Sequence, residues 1–174
     1  MFTCDADDPV PLVANAPTTE PSDGSTLHSY MVQLTEFRMK TGNVSKLNAK
    51  DLIRILEGLK EDSDVEVIQT IRLSTLTTHE SMVQFGKKVR ITTGAGQSNF
   101  GDLGTIVRVL AKEEKGKVLT KLSYEASRNH GDASDFSPTT TQFETTLLLK
   151  ASVPTLVGST TSDPSSCLLI CITE

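Results

Sequence analysis

The chain has 174 residues, 37% of them hydrophobic, no tryptophan and a formal charge of −5. That length suffices for one domain with its own core. Asp5, Asp7, Asp8, Glu20 and Asp23 lie in residues 1–25 without a Lys or Arg, so the other 149 residues carry 17 acidic and 17 basic groups. A neutral body offers no field to hold nucleic acid or an anionic membrane, which argues against both as partners.

Residues 1–26 contain Pro9, Pro11, Pro17 and Pro21 among Asp, Ser and Thr, with no apolar periodicity. They read as a flexible acidic tail, too polar to offset its chain entropy by burial. The first eight residues lack the basic and apolar runs of a secretory leader. No stretch approaches the roughly 20 apolar residues of a membrane helix. Read literally, the chain starts and stays in the cytoplasm. Residues 27–174 form the domain.

From Leu27 to Lys40, Tyr30, Val32 and Leu34 alternate with Met31, Gln33 and Thr35, a strand pattern. A helix is expected over 48–60, with Asn48 as N-cap and Asp51 completing a capping box. Its apolar stripe is Leu52, Ile53, Leu56 and Leu59, with Lys50, Arg54, Glu57 and Lys60 facing out. The central stretch, Val65 to Val89, reads as two strands joined at Thr77-Thr78-His79-Glu80. Val65 and Val67 share one face, and Ile71 and Leu73 resume the alternation. Val83, Phe85 and Val89 share a side of the second strand.

Thr92 to Asp102 reads as a glycine-rich loop. Leu103–Leu110 and Val118–Ala126 form a hairpin around the charged turn Lys112–Lys117, with Val118, Thr120, Leu122, Tyr124 and Ala126 pointing inward. Arg128 to Thr141 is a long polar loop. Phe143–Lys150, Val153–Val157 and Cys167–Thr173 are the last strands. The sum is an α+β, β-dominated fold, an antiparallel or mixed sheet of about seven to eight strands with one helix.

Little in this sequence advertises chemistry. Gly94-Ala-Gly96-Gln-Ser-Asn-Phe-Gly101 opens a strand, whereas a phosphate loop must open a helix to use its N-terminal amides. His79-Glu80, and His130 with Asp132 and Asp135, read as solvated loop residues, and no Ser or Cys sits in a nucleophile motif. No catalytic residue, cofactor-binding residue, cofactor or metal ligand is assigned. Cys167 and Cys171 point the same way about 13 Å apart along a strand, too far to bridge, and pack as small apolar groups.

The order of strand motifs is nevertheless distinctive. Val65–Leu76 resembles V-x-V-L-S-x-P-R-L-x-T-L, Glu80–Gly86 resembles x-A-x-I-x-V-G, and Leu103–Val109 resembles V-G-x-x-L-x-V. Leu119–Ser127 resembles V-x-L-x-x-x-x-E-x-S, Phe143–Gly158 resembles T-x-V-x-V-x-D-G-x-T-L-V-L-G-G, and Leu168–Thr173 resembles L-L-I-L-V-T-P. Tyr30–Lys40 stands where V-x-V-x-x-x-I-x-E-V would. Together these motifs resemble the C-terminal domain of bacterial secretins, the ring-forming proteins of type II and type III secretion and type IV pilus systems.

The resemblance implies a non-enzymatic structural domain related to outer-membrane secretion pores. It would assemble by strand pairing, with protein partners, in the cell envelope and with no small-molecule substrate. The positions it marks as structural are Arg72, Thr75, Gly86, Gly104, Glu125, Ser127, Gly158 and Thr173. Between Val89 and Leu103, where secretins carry gate hairpins, the sequence reads as a short loop. That reading, with the absence of a leader and only eight aromatics, favours the alternative: a soluble interaction module that keeps the core without gate or barrel.

Overall fold

Apolar alternation builds two sheets here. A computed structural model describes residues 27–39, 44, 47–57, 65–92, 98–129, 138–160 and 165–174. The acidic segment 1–26 and the histidine loop 130–137 lie outside the described residues. Among those described, the elements run β1 (Ser29–Met39), α1 (Ala49–Leu56), β2 (Val65–Leu76), β3 (Glu80–Thr92), β4 (Ser98–Glu114), β5 (Lys117–Asn129), β6 (Pro138–Leu149), β7 (Thr155–Ser159) and β8 (Ser165–Thr173).

Every pair of neighbouring strands is antiparallel, in the orders β2-β1-β8-β7 and β3-β4-β5-β6. The eight strands therefore divide into two sheets of four. Tyr30, Val32 and Leu34 of β1 and Leu168, Ile170 and Ile172 of β8 meet Val107, Val109, Leu122 and Tyr124 of the second sheet in one buried core. The inward set expected for β5, Val118 to Ala126, is 0–3% exposed throughout.

A second cluster lies on the opposite face of the first sheet. There Phe37, Met39, Cys167 and Leu169 pack with Ile55 of α1. The Asn48 side chain caps this helix, accepting from the amides of Lys50 (2.9 Å) and Asp51 (3.2 Å), while Asp51 accepts from the Asn48 amide at 2.9 Å. The packed stripe differs from the expected one. Ile55 is buried with Leu52 and Leu56 beside it, whereas Ile53 is 42% exposed. Positions i, i+3 and i+4 share a face, and Ile53, adjacent to Leu52, is turned about 100° away. Leu59 and Lys60 fall outside the described residues.

The faces of β2 also need correcting. Its register with β1 shifts between Glu36 and Phe37, which pair with Gln69 and Val67, so Ile68 is an extra residue. A bulge moves the residues beyond it to the other face. Val65 and Val67 pack on the helix side, and Ile71 and Leu73 pack against the second sheet.

The chain changes sheets twice, each time at a non-glycine residue with positive φ: Thr78 (66°) after β2 and Ser152 (62°) after β6. Backbone bonds hold both, Thr78 N–H to Ala111 O at 2.8 Å and Ser152 N–H to Ile172 O at 2.7 Å. The β4–β5 turn uses Lys115 (52°) and Gly116 (74°), the positive-φ pair of a two-residue hairpin that matches strand twist.

This packing separates two neighbouring helix positions. Ile55→Asp should cost more than about 3 kcal/mol by burying an uncompensated charge, while Ile53→Asp should stay within about 0.5 kcal/mol of the parent. Urea unfolding of the two variants checks this.

Candidate functional site

Three strand ladders of unequal length create the most unusual feature. β3 and β4 pair from Glu80↔Leu110 to Thr92↔Ser98, but β4 and β5 pair only from Glu114↔Lys117 to Gly104↔Ser127. Among the described residues, Lys87–Thr92 and Ser98–Leu103 therefore pair only with each other. They form a two-stranded arm about 20 Å long, at 3.4 Å per residue. β5 runs on without β4, pairing with β6 as far as Asn129↔Pro138. This corrects two expectations. Within the expected glycine-rich loop, Thr92 and Ser98–Asp102 lie in paired strands, with Phe100 and Gly101 in β4, and Arg128 lies in β5 rather than in a surface loop.

Two facing glycines form the root of the arm. A Cβ on Gly86 would strike the Leu103 carbonyl oxygen and lie 3.0 Å from the Gly104 Cα. A Cβ on Gly104 would strike the Phe85 carbonyl oxygen and lie 2.6 Å from the Gly86 Cα. The backbones approach this closely because neither residue has a side chain. Beside them lies an open groove of about 530 Å³ bordered by Gln84, Lys88, Asp102, Glu125 and Ser127.

Four of the eight positions marked by the motif resemblance thus converge here. Gly86, Gly104 and Ser127 lie in register across three strands, and Glu125 faces Ile106 two residues along. Ser127 Oγ lies 2.9 Å from Thr140 Oγ1 of β6. The other four lie elsewhere. Arg72 Nε donates to Gln33 Oε1 at 3.1 Å, and Gln33 Nε2 donates to Leu56 O at 2.9 Å, tying β2 and β1 to the helix end. Thr75, 1% exposed, donates to the carbonyls of Leu76 (3.4 Å) and His79 (3.3 Å) where the chain leaves β2. Gly158 adjoins a β7 bulge, where a Cβ would sit 3.3 Å from the Phe143 ring, and Thr173 pairs with Met31 at the end of β8.

A polar cluster beneath the arm root has no counterpart in the sequence reading. Glu36 of β1 is 1% exposed. Arg128 Nη1 donates to its Oε1 at 2.8 Å, and Arg128 Nη2 and the Tyr124 hydroxyl both donate to Oε2. Gln69 Nε2 lies 3.3 Å from the same oxygen, contacts the Tyr124 hydroxyl, and donates to Thr105 Oγ1 at 3.1 Å. Glu36 and Gln69 belong to one sheet, and Thr105, Tyr124 and Arg128 to the other.

Burial, then the Glu36 charge and hydrogen bond, push the Tyr124 hydroxyl far above its ordinary range, with Arg128 opposing them. Burial works against the Arg128 charge, but its bonds to Glu36 and Tyr124 outweigh that and raise its pKa. The sequence signal was available. Glu36 continues the inward series Tyr30, Val32, Leu34, and Arg128 continues Leu122, Tyr124, Ala126.

The remaining candidates are structural. His79 Nδ1 lies 3.1 Å from the Thr77 carbonyl within its turn. Cys167 and Cys171 are buried free thiols, and burial pushes Cys167 up to about 11. Among the described residues, no three His, Cys, Asp or Glu could hold a metal, and no helix is long and apolar enough to cross a membrane.

No family model and no curated protein matches the chain. Solved structures similar to it are secretins. They include the type II secretin GspD of enteropathogenic Escherichia coli, at 13% identity, TM-score 0.48, over 84% of this chain and 67% of that one. The secretin-domain β-barrel of InvG from the Salmonella SPI-1 injectisome is 15% identical, TM-score 0.49, over 85% of this chain and 61% of that one. The Vibrio cholerae type IV competence pilus secretin PilQ is 12% identical, TM-score 0.41, over 84% of this chain and 59% of that one. The chain spans less than two thirds of the InvG and PilQ chains. Identities this low carry no residue's role across.

Two outcomes follow from the site. Gly104→Ala should force the β3 and β4 backbones apart and lower the thermal midpoint relative to the parent chain. Tyr124 has a raised folded pKa, so its neutral form contributes stability in full below the unfolded value near 10. That contribution is lost as pH rises above 10. Stability measured from pH 8 to 12 should fall less steeply for Tyr124→Phe than for the parent.

Proposed function

We propose that this chain is a non-enzymatic building block of a ring related to protein-secretion pores, assembled by strand pairing between copies. The observation that carries the reading is the long, nearly uncharged edge that β6 presents among the described residues. β6 is an edge strand of 12 residues whose only charged residue is Glu144, and β3, of 13 residues, is the opposite edge. Monomeric proteins guard such edges with charge, proline or a covering element; β3 carries Glu80, Lys87, Lys88 and Arg90, whereas β6, with one charge and its proline at the very start, is suited to pairing.

Four antiparallel strands make β3 and β6 run oppositely, so β6 of one copy can extend the ladder of β3 in the next. Such a contact joins different surfaces, and it closes into a ring when the rotation per copy divides a full turn. β7 and β2 stand in the same relation on the first sheet. The ordered motifs from Val65 to Thr173 support the kinship with secretins. The hairpin arm occupies the segment where that kinship implies a gate, which removes one reason for the interaction-module alternative. The ring's place is the cell envelope, and its partners are proteins: further copies and other secretion components.

Light scattering of the full chain, with and without detergent, tests this. We expect a discrete oligomer many times 18.8 kDa. Placing lysines at the exposed β6 positions Gln142 and Thr146 should return it to 18.8 kDa with its thermal midpoint unchanged. A parent chain at 18.8 kDa in both conditions would overturn the proposal.

A further inference from the structure

We propose that the Glu36–Gln69–Thr105–Tyr124–Arg128 cluster is a latch that fixes the arm's pivot at the Gly86–Gly104 pair. The inference rests on the arm's geometry and holds whether or not copies assemble. β4 has three successive environments. From Glu114 to Ala111 its ladder is with β5 alone, from Leu110 to Gly104 it is paired on both sides, and from Leu103 outward only β3 accompanies it. A ribbon released from a sheet has no intrinsic reason to bend at one residue, because ladder pairs next to the release point can also open.

Thr105 is the residue just inside that point. It is 3% exposed, and its Oγ1 accepts from Gln69 Nε2 at 3.1 Å and lies 3.4 Å from Gln69 Oε1. Gln69 is on the other sheet, beside the β2 bulge, and is itself held by Glu36 at 3.3 Å and by Tyr124. Glu36 is in turn clamped by both terminal nitrogens of Arg128, the first β5 residue beyond the last β4 pair. The first sheet thus grips β4 one residue inside the glycine pair and β5 directly beneath the departing arm. Motion is confined to the two residues that lack side chains, and the sheets must part before the pivot can retreat.

Thr105→Val tests this in the full chain. It removes only the grip on β4 and leaves Gln69 bonded to Glu36 and Tyr124, so no buried charge is exposed. Hydrogen exchange should quicken tenfold or more at Val83–Gly86 and Gly104–Val107, with the thermal midpoint unchanged and β5, β6 and β8 as in the parent. Thr105→Ser, which restores the hydroxyl, should behave like the parent. Unchanged exchange at those two segments would overturn the latch. Faster exchange throughout the domain with a lowered midpoint would also overturn it, because that marks a purely structural role. A parent arm as protected as β5 would remove the pivot itself. Light scattering on the same samples reports separately on assembly.

Discussion

The two sheets are joined by an ion pair whose carboxylate, Glu36, is fully buried while the Arg128 side chain keeps 23% of its surface exposed. Removing a carboxylate from solvent costs several kcal/mol, recovered only where the pairing is close and every remaining lone pair is used. Glu36 meets those terms: a two-pronged contact with Arg128, plus Tyr124 and Gln69. Among the described residues no buried side-chain polar atom lacks a partner. Apolar burial would let the sheets slide over one another. The ion pair allows one register, because any other leaves a buried charge alone.

The rest of the geometry is arranged around that fixed point. The β2 bulge brings Gln69 to the inner face beside Glu36 while sending Val65 and Val67 toward the helix. The end of the β4–β5 ladder at Gly104↔Ser127 leaves Arg128 free to turn beneath the arm. The facing glycines then let two backbones approach more closely than any side chain would permit. A rigid, fully bonded base beneath a side-chain-free pair gives the arm a defined origin. Among the described residues, β2 and β7 edge one sheet and β3 and β6 the other.

Much of this was legible in the residues, and the failures have physical causes. Period-two alternation located the inward face of β5 residue by residue, and Asn48 with Asp51 marked the helix start. Alternation cannot see a bulge: the extra Ile68 puts Val67 and Ile71 on opposite faces without breaking the apolar pattern. The outer part of the arm, within Thr92–Asp102, reads as a loop in sequence because glycine-rich segments mark turns as well as close approaches between paired strands. Gly86 and Gly104 were singled out by motif, but only the register shows that they face each other. Glu36 and Arg128 were passed over because a lone charge within an apolar series gives no clue to its partner 92 positions away.

The central claim is that Glu36 and Arg128 act as one unit across the two sheets. A double-mutant cycle with Glu36→Gln and Arg128→Met, read by denaturant unfolding, measures that coupling directly. The account expects each single change to cost about 3 kcal/mol or more, as breaking a buried pair does. The double variant should be no worse than either, giving a coupling above about 2 kcal/mol. Additive losses with near-zero coupling would contradict it, because the two charges would then stabilise the domain independently.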